Sequence, residues 1–287
     1  MYTYLQDTDD GLPMRPAGKW AAVKLDYLGR YISVFETSMR NKWSVRNYID
    51  LLAGPGKNVV EETGEVMLGS PLLALTTKYP FTGYYFVEND DDNADALRKR
   101  CSSSNLNDRV RVMNNDCNQI VSTIINELKP YEHKSLNLAF LDPEGLELQW
   151  STISQLASVR RMDIIINYPQ GGLSRVMPNV IDQDGESEVD KFFGNSDWRH
   201  IYSEWQIRHE VGLHRRLIDL YLGKLQELGY TELRRDDEVG DEPLIRNSKR
   251  RTPLYRLLFA SKHPLGDQFW RAVTSRDLYG QKRLFDA

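Results

Sequence analysis

Nine consecutive residues constrain this chain more than any others: Tyr48-Ile49-Asp50-Leu51-Leu52-Ala53-Gly54-Pro55-Gly56. A β-type run ends in an acidic residue and passes directly into a Gly-x-Gly turn. A second such run, Gly83 to Val87, ends in Glu88. In an open α/β sheet, glycines in the first strand-to-helix turn let the backbone approach a ligand, and a carboxylate after the second strand accepts ribose hydroxyls. Two further strand ends are acidic, at Asp116 and Asp142. The pattern points to a nucleoside-binding sheet. Asp50, Ala53, Gly54, Pro55 and Gly56 would lie against the ligand and Glu88 at its ribose. The alternatives are an ordinary strand-to-helix turn over 50–56 and a solvated strand end at Glu88.

The rest of the chain repeats the alternation. Trp20, Val23, Leu25, Leu28, Tyr31, Ile32 and Phe35 recur at helical spacing and predict a helix over 19–41. Strand one is about 45–52 and strand two about 83–88. Short runs at 110–113, 136–141 and 162–167 read as strands three to five, with helices over 90–100, 118–128 and 151–159 between them. Strands alternating with helices at this spacing give a mostly parallel sheet with crossover helices. Gly69-Ser70-Pro71 is expected to open a helix, with Ser70 as N-cap and Pro71 at its first position. Residues 1–18 read as an irregular polar arm, and 57–68 as a polar, Gly-containing segment.

After strand five the pattern changes. Residues 171–229 are polar and helical, and the tail holds two strands, about 230–235 and 253–261, expected to pair antiparallel at the end of the sheet. The fold class is therefore α/β, a Rossmann-like sheet, mostly parallel with an antiparallel C-terminal strand. Its expected parts are an α/β domain over 1–170 and 230–265, an inserted helical lobe over 171–229, and a tail over 266–287.

Size and composition narrow the function classes. At 287 residues the chain can bury a full core. A net charge of −4 does not draw it to nucleic acid in bulk, so only a local basic patch could do that. Arg246, Lys249, Arg250 and Arg251 form one between the last two strands, with Arg246 and Arg250 placed to hold phosphates; a solvated charged loop is the alternative. Cys101 and Cys117 have neither metal nor disulfide spacing, and His200, His209, His214 and His263 have no metal spacing, so no metal is expected. No apolar run approaches membrane-spanning length and the acidic N-terminus is not a signal peptide. These features lead to an expectation of no membrane and a cytoplasmic location.

The remaining candidates follow strands four and five. Asp142-Pro143-Glu144-Gly145 lies just past the carboxyl end of strand four, where doubly wound sheets place ligands. Asn167-Tyr168 ends strand five at the same crevice, with Tyr168 expected to stack on a substrate ring. A tight turn and a capped strand end are the structural alternatives.

Five parallel strands followed by an antiparallel pair resemble the S-adenosylmethionine-dependent methyltransferases; a dinucleotide dehydrogenase, the third reading, would continue with a sixth parallel strand. Asp50-x-x-x-Gly54-x-Gly56 is similar to their first motif, with Leu52 in place of its usual first glycine. Glu88 matches their ribose-binding acid, and Asp116, in Asn115-Asp116-Cys117, the residue that contacts the adenine amino group, so the resemblance implies that Asp116 and Cys117 frame the adenine. Asp142-Pro143 occupies the place of the Asp/Asn-Pro-Pro-aromatic motif of nucleic-acid amino-methyltransferases.

Over almost its whole length the chain resembles the three-Cys-motif partner proteins, a bacterial methyltransferase-like family linked to radical-enzyme-like three-cysteine proteins. The Lys24-containing helix, residues 49–56, Gly69-Ser70-Pro71, residues 141–145, Phe192-Phe193-Gly194 with Trp198, and residues 254–262 carry this resemblance. Glu144 stands where that family has an aromatic residue. The resemblance implies a class I methyltransferase fold and S-adenosylmethionine as cofactor. It implies either methyl transfer to an amino nitrogen, for instance of a nucleic-acid base, or a weakly catalytic or non-catalytic partner of a three-cysteine protein. In amino methylation the nitrogen lone pair must be freed and aimed. Asp142, Pro143 and Glu144 would orient the acceptor, with Gly145, Asn167 and Tyr168 contacting it. Covalent cytosine-C5 chemistry is excluded, because its cysteine position reads Asp142-Pro143-Glu144.

Overall fold

The computed structural model describes residues 6–208, 211–233 and 242–276. Its core is a seven-stranded sheet. Five strands run parallel: β2 (Val45–Asp50), β5 (Gly83–Glu88), β6 (Val110–Asn114), β7 (Ser135–Leu141) and β8 (Met162–Tyr168). Two more complete it, β9 (Leu244–Arg246) and β10 (Pro253–Ala260), in the order β6-β5-β2-β7-β8-β10-β9. β10 is antiparallel to both β8 and β9. This is the Rossmann-like α/β arrangement expected from the sequence, with its parallel run closed by an antiparallel strand.

The strands are apolar on both faces, which is what a sheet covered by helices on each side requires. Tyr48, Phe86, Phe140 and Ile165 face one side, and their chain neighbours Ile49, Val87, Ala139 and Ile164 face the other. Helices α1 (Trp20–Met39), α2 (Ser70–Leu75), α3 (Asp91–Ser102) and α10 (Pro264–Thr274) cover the first face. The apolar stripe anticipated in α1 is present, with Leu28, Tyr31, Ile32 and Phe35 buried. The second face is covered by α4 (Cys117–Leu128) and α5 (Trp150–Ala157). It is also covered by the helices of the polar segment: α6 (Gln170–Val180), α7 (Glu188–Phe193), α8 (Asp197–Arg208) and α9 (Leu213–Glu227). Leu173, Phe192, Trp198, Leu217 and Tyr221 share one core with Ile164 and Ile166, with α6 against β10, Phe192 of α7 and Tyr221 of α9 against Tyr168, and α8 against α9. Among the described residues, no helix is long and apolar enough to cross a membrane.

Four local expectations are corrected. The N-terminal arm carries β1 (Arg15–Ala17), which pairs in parallel with β3 (Lys57–Val60); β3 folds back on β4 (Val66–Leu68), so the polar stretch after the glycine turn is a small second sheet. Buried charge holds that arm: Asp10 pairs with Lys57 at 2.8 Å and Arg100 at 2.6 Å, and Arg100 also donates to the Pro55 carbonyl. Gly69, not Ser70, caps α2, and Ser70 is its first residue. The antiparallel partner of β10 is β9. Of the strand expected over 230–235, the described residues keep only an isolated bridge from Glu232 to Ser261, and residues 234–235 lie outside them. Within the expected tail, α10 buries Trp270 and Val273; residues 277–287 lie outside the described chain.

Candidate functional site

The site forms at the carboxyl edge of the parallel strands. β2 delivers Asp50 fully buried, accepting from the Tyr48 hydroxyl and the Leu52 amide at 3.4 Å each and hydrogen-bonded to Ser70. Burial pushes its carboxyl up to about 7, against the opposing Ser70 hydrogen bond. The turn that follows needs its glycines. Gly54 and Gly56 have φ of +65° and +91°, and a Cβ on Gly56 would lie 2.9 Å from Leu97 Cδ1 and 3.1 Å from Leu72 Cγ. Glu88 clamps this turn from β5: its Oε2 accepts from the Gly54 amide at 2.8 Å and its Oε1 from the Asp90 amide at 2.9 Å. At the end of β6, Asp116 caps α4, its Oδ1 accepting from the amides of Asn118 and Gln119. Cys117 is buried beside it, its thiol pushed up to about 12 by burial and by Asp116.

Asp142, just past β7, is held from two sides. Lys24 Nζ of α1 lies 2.5 Å from Oδ2, and Asn167 Nδ2 of β8 donates to Oδ1 at 2.7 Å. With its amide committed to Asp142, Asn167 keeps a buried Oδ1 that has no hydrogen-bond partner. The next turn is fixed by Glu147, which accepts from the amides of Glu144 (2.6 Å) and Gly145 (2.8 Å). Glu144 points back to the N-terminal arm, where Arg15 Nε lies 3.0 Å from its Oε1 and Arg15 Nη2 lies 3.7 Å from Glu88.

The trough has two adjoining compartments, with Arg15 on the border between them. The first, about 170 Å³, is bounded by Gly54, Gly56, Ser70, Lys24, Asp142 and Tyr255. The second, about 180 Å³, is bounded by Glu88, Asn115, Asp116, Cys117, Asp142 and Glu147. Arg15, Leu52, Asp142 and Glu144 border both. Each compartment is smaller than the ~300 Å³ at which ligand pockets usually begin, so an elongated ligand would have to span the two. A third cavity, about 470 Å³, opens beyond Glu144 and Tyr255 and is bordered by Gln170, Arg175 and Arg250.

No family model matches the chain, and no curated protein matches it. Several solved structures are similar to it, two of them as follows. A Legionella pneumophila protein described as DUF519 has a TM-score of 0.42 and 15% identity, covering 58% of this chain and 75% of its own. A conserved hypothetical protein of Streptococcus pyogenes has a TM-score of 0.32 and 14% identity, covering 48% of this chain and 75% of its own. Neither likeness carries an argument.

Of the residues singled out in the sequence, the fold brings Asp50, Ala53, Gly54, Pro55, Gly56, Glu88, Asp116, Cys117, Asp142, Pro143 and Glu144 to this one edge. Asn167 joins them through Asp142. Tyr168 does not. It is fully buried on the opposite side of the strand from Asn167, with ring centroids of Phe192, Tyr221 and His214 at 5.9, 6.1 and 6.4 Å. Stacking on a substrate is corrected to core packing. Arg250 borders the third cavity, whereas Arg246 donates to the Arg251 carbonyl and is not part of its wall. His209 lies outside the described residues.

Arg15, Ser70, Glu147 and Tyr255 were not read as site residues. Arg15 sits in a segment without periodicity, and Tyr255 alternates like any strand residue. Neither carries a local signal.

Proposed function

We propose that the trough binds S-adenosylmethionine and that the protein transfers its methyl group to an amino nitrogen presented at Asp142 and Asn167. The observation that carries this reading is the convergence of the Gly54–Gly56 turn, Glu88, Asp116 and Asp142 on one trough.

The residues fit the cofactor. The Gly54 and Gly56 turn borders the first compartment with backbone that carries no side chain. Glu88 spends one acceptor site of each oxygen on an amide, and a carboxylate has about four such sites, so hydroxyls of a ribose can still bind. Asp116 and Cys117 border the compartment beyond Glu88, on the side where the base would lie. Lys24 and Arg15 supply cations for a carboxylate in the other compartment. When bound, S-adenosylmethionine supplies an electrophilic methyl group. The chain's part is orientation: Asp142 accepts an amino hydrogen, and Lys24 and Asn167 fix Asp142 in place. A ligand that spans both compartments would pass Arg15 on their border. Arg175 and Arg250, on the third cavity, favour an anionic acceptor such as a nucleic acid.

Calorimetric titration with S-adenosylmethionine and S-adenosylhomocysteine, with NAD as control, tests the reading. Saturable binding of the first two, lost in Glu88→Ala, is expected. Binding of NAD alone, or no loss in the variant, would remove the assignment. The Arg15–Glu144 closure favours a second reading, a methyltransferase-fold binding partner of a three-cysteine protein; cofactor binding without turnover on any nucleic acid would bring it forward.

A further inference from the structure

A separate cavity lies at the other end of the sheet. It measures about 550 Å³ and sits at the amino-terminal edge of β7 and β8, against Leu136 and Met162. β7 is seven residues long, so this edge is separated from Asp142 by roughly 20 Å. The cavity therefore does not belong to the trough. The two are joined by α1, which places Lys24 on Asp142 at one end and Phe35 and Met39 in the cavity wall at the other.

Its walls and rim differ in chemistry. Phe35, Met39, Trp43 and Phe269 supply apolar surface. Lys42, Arg160, Arg161 and Lys262 border it with positive charge. Arg161 is already placed, stacked 4.5 Å over the Trp43 ring and donating to the Glu132 carbonyl, and Lys262 donates to the Ala157 carbonyl. Lys42 and Arg160 are exposed, and no ion pair is found for them among the described residues. The one acid in the wall, Asp163, is occupied: the Tyr31 hydroxyl donates to Oδ2 at 3.0 Å and the Ser261 hydroxyl to Oδ1 at 2.7 Å. Glu132, whose Oε1 accepts from the Arg160 amide at 2.7 Å, is the acid beside this rim, and it stands against four cations. An apolar chamber of this size with an excess of positive charge at its mouth suits one ligand class.

We propose that this cavity is a second binding site, for an amphipathic organic anion whose apolar body enters between Trp43 and Phe269 and whose single anionic head meets Lys42 and Arg160. The site is independent of the trough and of any methyl transfer there.

The test uses the full chain and two dyes of the same shape: 8-anilinonaphthalene-1-sulfonate, which is anionic, and N-phenyl-1-naphthylamine, which is neutral. One equivalent of the anionic dye is expected to bind saturably, with at least tenfold weaker binding in Lys42→Glu/Arg160→Glu. Both positions are exposed, so a circular-dichroism melt should be unchanged. The neutral dye should bind more weakly and be indifferent to the charge reversal. Leu265→Trp, which narrows the mouth, should weaken both dyes, and Glu88→Ala should affect neither. Several weak equivalents, insensitivity of the anionic dye to charge reversal, or its loss in Glu88→Ala would overturn the proposal.

Discussion

The ammonium of Lys24 and the carboxylate of Asp142, 118 residues apart in the chain, meet at 2.5 Å at the centre of the site. Both side chains are mostly buried, so the pair exchanges hydration for a single directed contact. Removing one partner leaves the other charge poorly solvated. Lys24→Met is expected to destabilise the fold by roughly 1–3 kcal/mol, between the values for exposed and buried pairs. In the Lys24→Met background, Asp142→Asn should cost little or restore stability. Urea denaturation of the double-mutant cycle measures this, and strictly additive losses would show that the pair is not coupled.

Asp50 gives a pH signature. Its folded carboxyl is pushed up to about 7 from 3.8, so between those values the folded state holds a proton that the unfolded state has released. Its contribution to stability therefore falls as pH rises from about 4 to about 7 and is level above that. Asp50→Asn removes the titration. The variant's stability relative to the parent should rise across that window, by at most about 4 kcal/mol. A difference independent of pH would show that burial does not hold the proton.

Gly56 and Gly64 separate backbone strain from packing. Both have positive φ, +91° and +71°, but a Cβ on Gly64 meets nothing within 4 Å, whereas on Gly56 it meets Leu97 and Leu72. Gly64→Ala should cost about 1–2 kcal/mol for the conformation alone. Gly56→Ala should cost about 1–3 kcal/mol more, for the overpacking. Equal denaturation midpoints would show that α2 and α3 can give way.

Tyr168→Phe distinguishes core packing from substrate contact. The hydroxyl is buried without a partner, so its removal should leave stability unchanged or raise it by up to about 1 kcal/mol. A loss above about 1 kcal/mol would reveal a bound water linking Tyr168 to the equally unpartnered His214 Nδ1 and Tyr221 hydroxyl.

Arg15→Ala tests the border between the two compartments, given the proposed cofactor. Losing a charge-assisted hydrogen bond should weaken S-adenosylmethionine about tenfold. 5′-Methylthioadenosine, which lacks the amino-acid end, should not be weakened. Equal weakening of both ligands would place Arg15 in a general structural role.

The sequence by itself determined the sheet and most of the trough. Alternating apolar residues such as Tyr48/Ile49 and Phe86/Val87 fix strands buried on both faces, because side-chain direction in a strand has a period of two. Strand-end acids and the Gly54-x-Gly56 turn are local patterns and were legible for the same reason. Tertiary structure decided what depends on distant segments. Lys24 reaches Asp142 only because α1 lies across the sheet, and Arg15 reaches Glu88 and Glu144 only because β1 pairs with β3, a register that no nearby residue specifies. Tyr168 was misplaced because a strand end shows the alternation of its side chains but not which face the helices α7 and α9 will cover. Local periodicity encodes the elements, whereas the pairing of charges and the covering of faces come from packing between segments far apart in the chain.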